Sequence, residues 1–235
     1  VGVAFKLAEA LYAEFDRAEQ TGEFLDLVAL GIVADIAELV GDTRYLLQLG
    51  LERLRTAPRL GLRALYSLAD IEPIFLSEDD IGFSIGPRLN ALGRLGDANV
   101  IVEFLTTQDA AQAEVIANQL EGMNAQRKLL SSQVFQGALA QLEQDRRALQ
   151  EPALVLGNEH WPPGIIGIVA SRLAQRYLKP VVLLHLGKDG LARGSARSVA
   201  GFDIGEAIRQ CAPLLSGYGG HPMACLLYTS PSPRD

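Results

Sequence analysis

The sequence predicts a mixed α/β protein: a helical first part, a long connecting helix and a small α/β second domain. Three observations carry this. Apolar residues recur at helical spacing over roughly the first hundred positions. From about Asp109 to Gln150 there is no proline and only two glycines, Gly122 and Gly137. After Pro152, short aliphatic runs flank an amphipathic helical stretch.

Val3, Phe5, Leu7, Ala8, Leu11, Tyr12 and Phe15 mark an amphipathic helix over 3–15. Phe24 to Ile36 is almost wholly apolar and reads as a buried helix or a helix-to-strand passage. Thr43 to Ala57 is a helix with Tyr45, Leu46, Leu49 and Leu54 inward and Pro58 just past its end. A short helix over Gly61–Leu68 precedes Gly86–Arg94, which its glycines and proline mark as a loop. Thr107 is placed to cap the next helix, although the reciprocal Glu or Gln of a capping box is missing. Continuous helix to Gln150 would run roughly 60 Å. Its polar faces suit a connector, and Asn118, Asn124 and Gln133 interrupt any coiled-coil heptad. Ala153–Leu156, Ile165–Tyr177 and Pro180–Leu186 then form a βαβ pattern, which implies parallel strands. Leu191–Ser198 reads as a further strand and Asp203–Leu215 as a helix.

An apolar fraction of 49% with 21% charged residues fits a globular protein with a substantial core. No apolar run is long enough to cross a membrane, since Lys6, Glu9, Glu14 and Asp16 break the first helix. Val1 opens inside a helical pattern, and the segment Cys225–Asp235 changes character abruptly, so the chain reads as incomplete at both ends. Outside that tail only Cys211 remains, which excludes an internal disulfide and points to a reducing, cytoplasmic setting. A net charge of −7 argues against broad adhesion to nucleic acid, but not against a focused basic site.

Several segments carry chemistry. Arg88 and Arg94 offer planar forks for phosphate or carboxylate, and Asn90 adds a donor and an acceptor. A solvated turn with internal ion pairs explains the same residues. Asp35 ends an apolar run, where a carboxylate needs a cation, an arginine or backbone N–H groups, or else caps the following helix. Ser195 and Arg197 share one face of their strand while Ser198 points away. Gly219 and Gly220 let backbone N–H groups approach a phosphate beside His221, though the segment also reads as a plain turn.

Gly31–Asp35, Gly86–Arg94, Trp161–Leu173, Gly194–Ser198 and Tyr218–Pro222 occur in this order, and together they resemble the RecJ single-strand-specific DNA exonucleases of the DHH phosphoesterase superfamily. The resemblance covers nearly everything from Gly2 to Ala224. It implies that 1–107 is the C-terminal part of a DHH domain, 108–150 a connector helix and 151–224 a truncated DHH-associated substrate-binding domain. Residues 225–235 read as a sequencing-adapter artefact.

By the same resemblance, Asp35 is a ligand for Mn2+ or Mg2+ in a two-metal site whose other ligands, including the Asp-His-His signature, lie upstream of Val1. Arg88, Asn90, Arg94, Ser195, Arg197, Ser198, Gly219, Gly220 and His221 bind substrate. The pattern departs at Ile32 (usually Thr), at Glu38 (commonly Pro) and at Pro162, where relatives carry His after the Trp. His160, just before Trp161, is a candidate for that role. The implied activity is 5′→3′ hydrolysis of single-stranded DNA to mononucleotides in repair and recombination, with this fragment inactive alone. Implied partners are single-stranded DNA, a single-stranded-DNA-binding protein and a helicase, with no membrane. The alternatives are a phosphodiesterase for cyclic dinucleotides or short RNA, and an inactive DNA-binding scaffold subunit.

Overall fold

The computed structural model describes residues 1–229, and the chain divides into two compact units, Val1–Ala125 and Gln126–Asp235. The first unit is helical: α1 (Gly2–Glu14), α2 (Leu25–Ala34), α3 (Gly41–Thr56), α4 (Leu60–Ala69), α5 (Gly86–Leu95) and α6 (Asn99–Thr106). The start of α7 (Ala110–Gln144) completes it. α7 is a single 35-residue helix that neither Gly122 nor Gly137 breaks, and it fits the expected connector.

α2 is apolar nearly all round, and Val28, Ala29, Leu30 and Ile32 are buried in it. It packs on α3 through Leu47, Leu51 and Leu54, an i, i+4, i+7 stripe. This stripe is rotated from the expected one, because Tyr45 and Leu49 are exposed. α1 forms as expected, but only Phe5 of its apolar stripe is buried. Leu62, Leu65, Tyr66, Leu76, Ile81, Ile85, Leu92, Phe104, Ile116, Ala117 and Leu120 complete the core.

An ion pair that no sequence pattern reveals crosses this unit. Asp26, in the first turn of α2, is fully buried and is forked by Arg59 Nε at 2.6 Å and Nη2 at 3.2 Å. Arg59 also donates to the carbonyls of Glu23 and Leu105, which ties the entries of α2 and α4 to the end of α6.

Tyr66 donates from its hydroxyl to the Leu54 carbonyl at 3.3 Å. Burial, and secondarily the Asp26 charge, pushes its phenol above the ordinary value. A raised folded-state pKa keeps its stability contribution below about pH 10 and loses it as pH rises further. Stability is therefore expected to fall above about pH 10 by up to ~1.4 kcal/mol per pH unit from this group. Denaturant titrations should show a smaller alkaline loss in Tyr66→Phe. An identical loss in the variant would assign the effect elsewhere.

The largest departure from expectation is Gly86–Arg94, which is not a loop. It forms α5, directly after a π-helical segment over Asp80–Ile85. Pro87 sits in the first turn, where its missing N–H is no loss, so the proline starts the helix and does not break it. α6 lies where the sequence pattern marks no element.

The second unit is a five-stranded sheet of order β1-β2-β3-β5-β4, formed by β1 (Leu154–Asn158), β2 (Val181–Leu186), β3 (Ala192–Arg197), β4 (Leu215–His221) and β5 (Ala224–Thr229). β1 and β2 are parallel and joined through α8 (Pro163–Tyr177), the expected βαβ unit, and the other pairings are antiparallel. α8 packs on the face that carries Val181, Leu183 and Ser195. α9 (Ile204–Gln210) covers the opposite face, with Ile204 and Ile208 on Ala196, Cys225 and Leu227.

One expectation is corrected here. Tyr218–His221 is strand, not turn. The segment from Cys225, whose composition sets it apart, is built as β5 as far as Thr229. Cys225, Leu227 and Thr229 alternate there with Leu226 and Tyr228 in the period that a half-buried strand needs. The remaining tail, 230–235, lies outside the described residues. Among the described residues no helix is long and apolar enough to cross a membrane.

Candidate nucleic-acid interface

In the helical unit, Asp35, Asn90 and Arg94 line one open depression of about 530 Å³, together with Gly31, Ala34, Gly93 and Val1. α2 ends at Asp35 and α5 presents Asn90, Gly93 and Arg94 on one face, since residues three and four apart stack along a helix. Asp35 is exposed, so the burial cost expected of it is not incurred. The costly buried carboxylate of that apolar run is Asp26. Nor does Asp35 cap the next helix, whose N-cap is Val40. Ile36, next to Asp35, adopts a left-handed φ of 53°, a strained state for a β-branched residue.

Arg94 lies in the last turn of α5, where a cation suits the helix dipole. It reaches solvent, yet enough protein surrounds its head that desolvation lowers its pKa from the ordinary value. It stays charged at any ordinary pH.

Arg88 lies on a different face of α5. Its Nε pairs with Glu121 of α7 and its Nη1 donates to the Ser84 carbonyl at 2.8 Å. The structure thus brings Asp35, Asn90 and Arg94 together and turns Arg88 toward α7.

In the sheet unit, Ser195 and Arg197 share the face of β3 beneath α8, as the strand period predicts. Arg197 Nη1 donates to Ser195 Oγ at 2.9 Å and to the Ala196 carbonyl at 2.8 Å. Arg197 and Ser198 line a depression of about 370 Å³ with Ser171, Gln175 and Met223. The Ser198 hydroxyl donates to the Phe202 carbonyl at 2.6 Å, so it organises the turn after β3.

Gly219, Gly220 and His221 line a separate depression of about 310 Å³ with Glu206 and Arg209. The two glycines differ. A Cβ on Gly220 would strike the Ala224 carbonyl and Cys225 Cα, so the β4–β5 hairpin requires glycine there, whereas Gly219 faces open space. His221 Nδ1 accepts from the Met223 N–H at 3.3 Å, which makes Nε2 the protonated nitrogen of a neutral ring. Arg209 pairs with Glu206, which holds the exposed Glu206 carboxyl below its ordinary value.

His160 sits in the β1–α8 turn with its side chain 81% exposed, near Glu159, and lines none of these depressions. Neighbouring Trp161 is buried, with Gly137 of α7 against its ring.

Among the described residues no group of three His, Cys, Asp or Glu side chains could hold a metal ion. Asp35 alone does not make a two-metal site.

Known proteins resemble this chain over nearly its whole length. A DHHA1 domain model matches residues 150–230, which take in the whole sheet. The chain is 40% identical over 225 residues to the single-stranded-DNA-specific exonuclease RecJ of Bacillus subtilis, covering 95% of this chain and 28% of that protein. To the RecJ of Escherichia coli it is 37% identical over 242 residues, covering 95% of this chain and 42% of that one. The chain therefore spans less than half the length of these relatives. A crystal structure of Thermus thermophilus RecJ with Mn2+ superposes with a TM-score of 0.85 at 35% identity, covering 97% of this chain and 33% of that one. The same protein with Mg2+ gives 0.82 at 33% identity, covering 97% and 35%. By sequence and fold alike, the chain belongs to the RecJ family of exonucleases, of which it spans a part that includes the DHHA1 domain.

Proposed function

We propose that this chain is the substrate-holding part of a 5′→3′ exonuclease that hydrolyses single-stranded DNA to mononucleotides in DNA repair and recombination. The observation that carries the reading is the convergence of Asp35 with Asn90 and Arg94, which lie far from it in sequence, on one open depression. Relatives named as single-stranded-DNA-specific exonucleases support the substrate class. Solved RecJ complexes with Mn2+ and Mg2+ support the cofactor.

In this reading Asp35 contributes one hard oxygen ligand, as Mn2+ and Mg2+ prefer. The remaining ligands come from residues outside this chain, and the chain alone does not hydrolyse DNA. Arg94 and Asn90 hold a phosphate beside Asp35, with a fork and a carboxamide suited to its oxygens. Arg88, fixed by Glu121, anchors α5 so that this face is presented. Ser195, Arg197, Gly219 and His221 hold the nucleotide end of the strand, and Ser198 and Gly220 shape the loops that present them. The protein works in the cytoplasm alongside a single-stranded-DNA-binding protein and a helicase.

Arg94→Ala tests the reading. It is expected to weaken binding of single-stranded oligonucleotides about tenfold, equally for every base sequence. The log–log salt slope should become shallower by about 0.7, the share of one single-strand phosphate no longer neutralised, with the melting temperature little changed. Unchanged affinity and slope would remove the depression from the substrate path.

A further inference from the structure

We infer that Gly167 is a positioning residue: the absence of a side chain there lets the Ser195–Arg197 pair lie flat beneath the first turns of α8. The inference rests on the reading that this pair holds a phosphate of single-stranded DNA.

Gly167 lies within α8, buried against the sheet. A Cβ built on it would stand 2.8 Å from Arg197 Nη2 and 2.9 Å from Ser195 Oγ. Ordinary carbon contacts begin near ~3.5 Å, so both groups would have to move. Backbone is not in the way. The obstructed atoms are the tip of a long side chain and a hydroxyl, each able to rotate aside.

The consequence is selective. Swinging the guanidinium aside breaks its bonds from Nη1 to Ser195 Oγ and to the Ala196 carbonyl, which help to orient its fork. The fold loses little, because the sheet and the apolar face of α8 (Ile165, Val169, Leu173) are untouched. Alanine also favours helix over glycine. A glycine kept for packing or flexibility behaves differently: its replacement lowers stability first.

The test uses the chain with three changes: Gly167→Ala, Arg197→Ala and both together. The readouts are the Arg197 side-chain Nε–Hε resonance, the melting temperature, and the affinity for a short fluorescein-labelled oligothymidylate. Gly167→Ala is expected to shift that resonance, to leave the melting temperature unchanged or raised, and to weaken binding about tenfold. The double variant should bind no more weakly than Arg197→Ala, because both changes remove one interaction.

An unmoved resonance, additive losses or a sharply lowered melting temperature would overturn the inference. If Arg197→Ala leaves the affinity unchanged, the DNA reading of this strand fails on its own account. The resonance then decides by itself whether Gly167 positions the guanidinium.

Discussion

Arg59→Met is expected to destabilise the helical unit by about 3–5 kcal/mol, the range for breaking a buried ion pair from one side. Asp26 has no exposed surface, and Arg59 supplies two of its bonds at 2.6 and 3.2 Å. Without the guanidinium the carboxylate keeps the Leu27 N–H, at 2.8 Å, and the favourable start of α2. Those do not replace a full opposite charge in a dry site. The carbonyls of Glu23 and Leu105 lose their donor as well. Urea unfolding followed by a probe in the first unit should show the loss. Asp26→Leu combined with Arg59→Met should recover much of it, since a well-packed apolar pair often matches a buried ionic one. A single variant within about 1 kcal/mol of the parent would mean that water reaches this pair.

That pair also marks a limit of what the sequence makes legible. An aspartate inside Phe24–Ile36 has to be expensive, but the cost expected at Asp35 falls on Asp26. Periodicity cannot separate them, because α2 is apolar nearly all round and only its neighbours decide which flank is dry. Arg59 lies in another helix's N-cap, beyond the reach of any local pattern.

The βαβ unit is legible because strand and helix periods differ and Pro152, Pro163 and Pro180 punctuate them. Gly86–Arg94 reads as a loop because glycine and proline usually punctuate. Here the proline sits in a first turn, and a Cβ on the buried Gly86 would stand 2.8 Å from the Ile81 carbonyl. The anion-binding role proposed for that segment does not depend on this, since guanidinium and carboxamide keep their character in loop or helix. Which of its arginines faces Asp35 is not legible. That depends on helical phase and on Glu121 in α7.

The proposal that Asp35 is a metal ligand is tested most directly by Asp35→Asn in the longer protein, assayed for mononucleotide release from single-stranded DNA across a manganese titration. Asparagine keeps the size and removes the charge that a hard cation requires. Because Asp35 is exposed and is not the N-cap of the following helix, the melting temperature should barely move, within about 0.5 kcal/mol of stability. Turnover at limiting manganese should fall by at least the ~100-fold that losing an outer-shell partner can cause, with partial recovery as the metal is raised. Near-normal turnover at limiting manganese, with the fold intact, would contradict the account and leave the Asp35–Asn90–Arg94 depression without a metal.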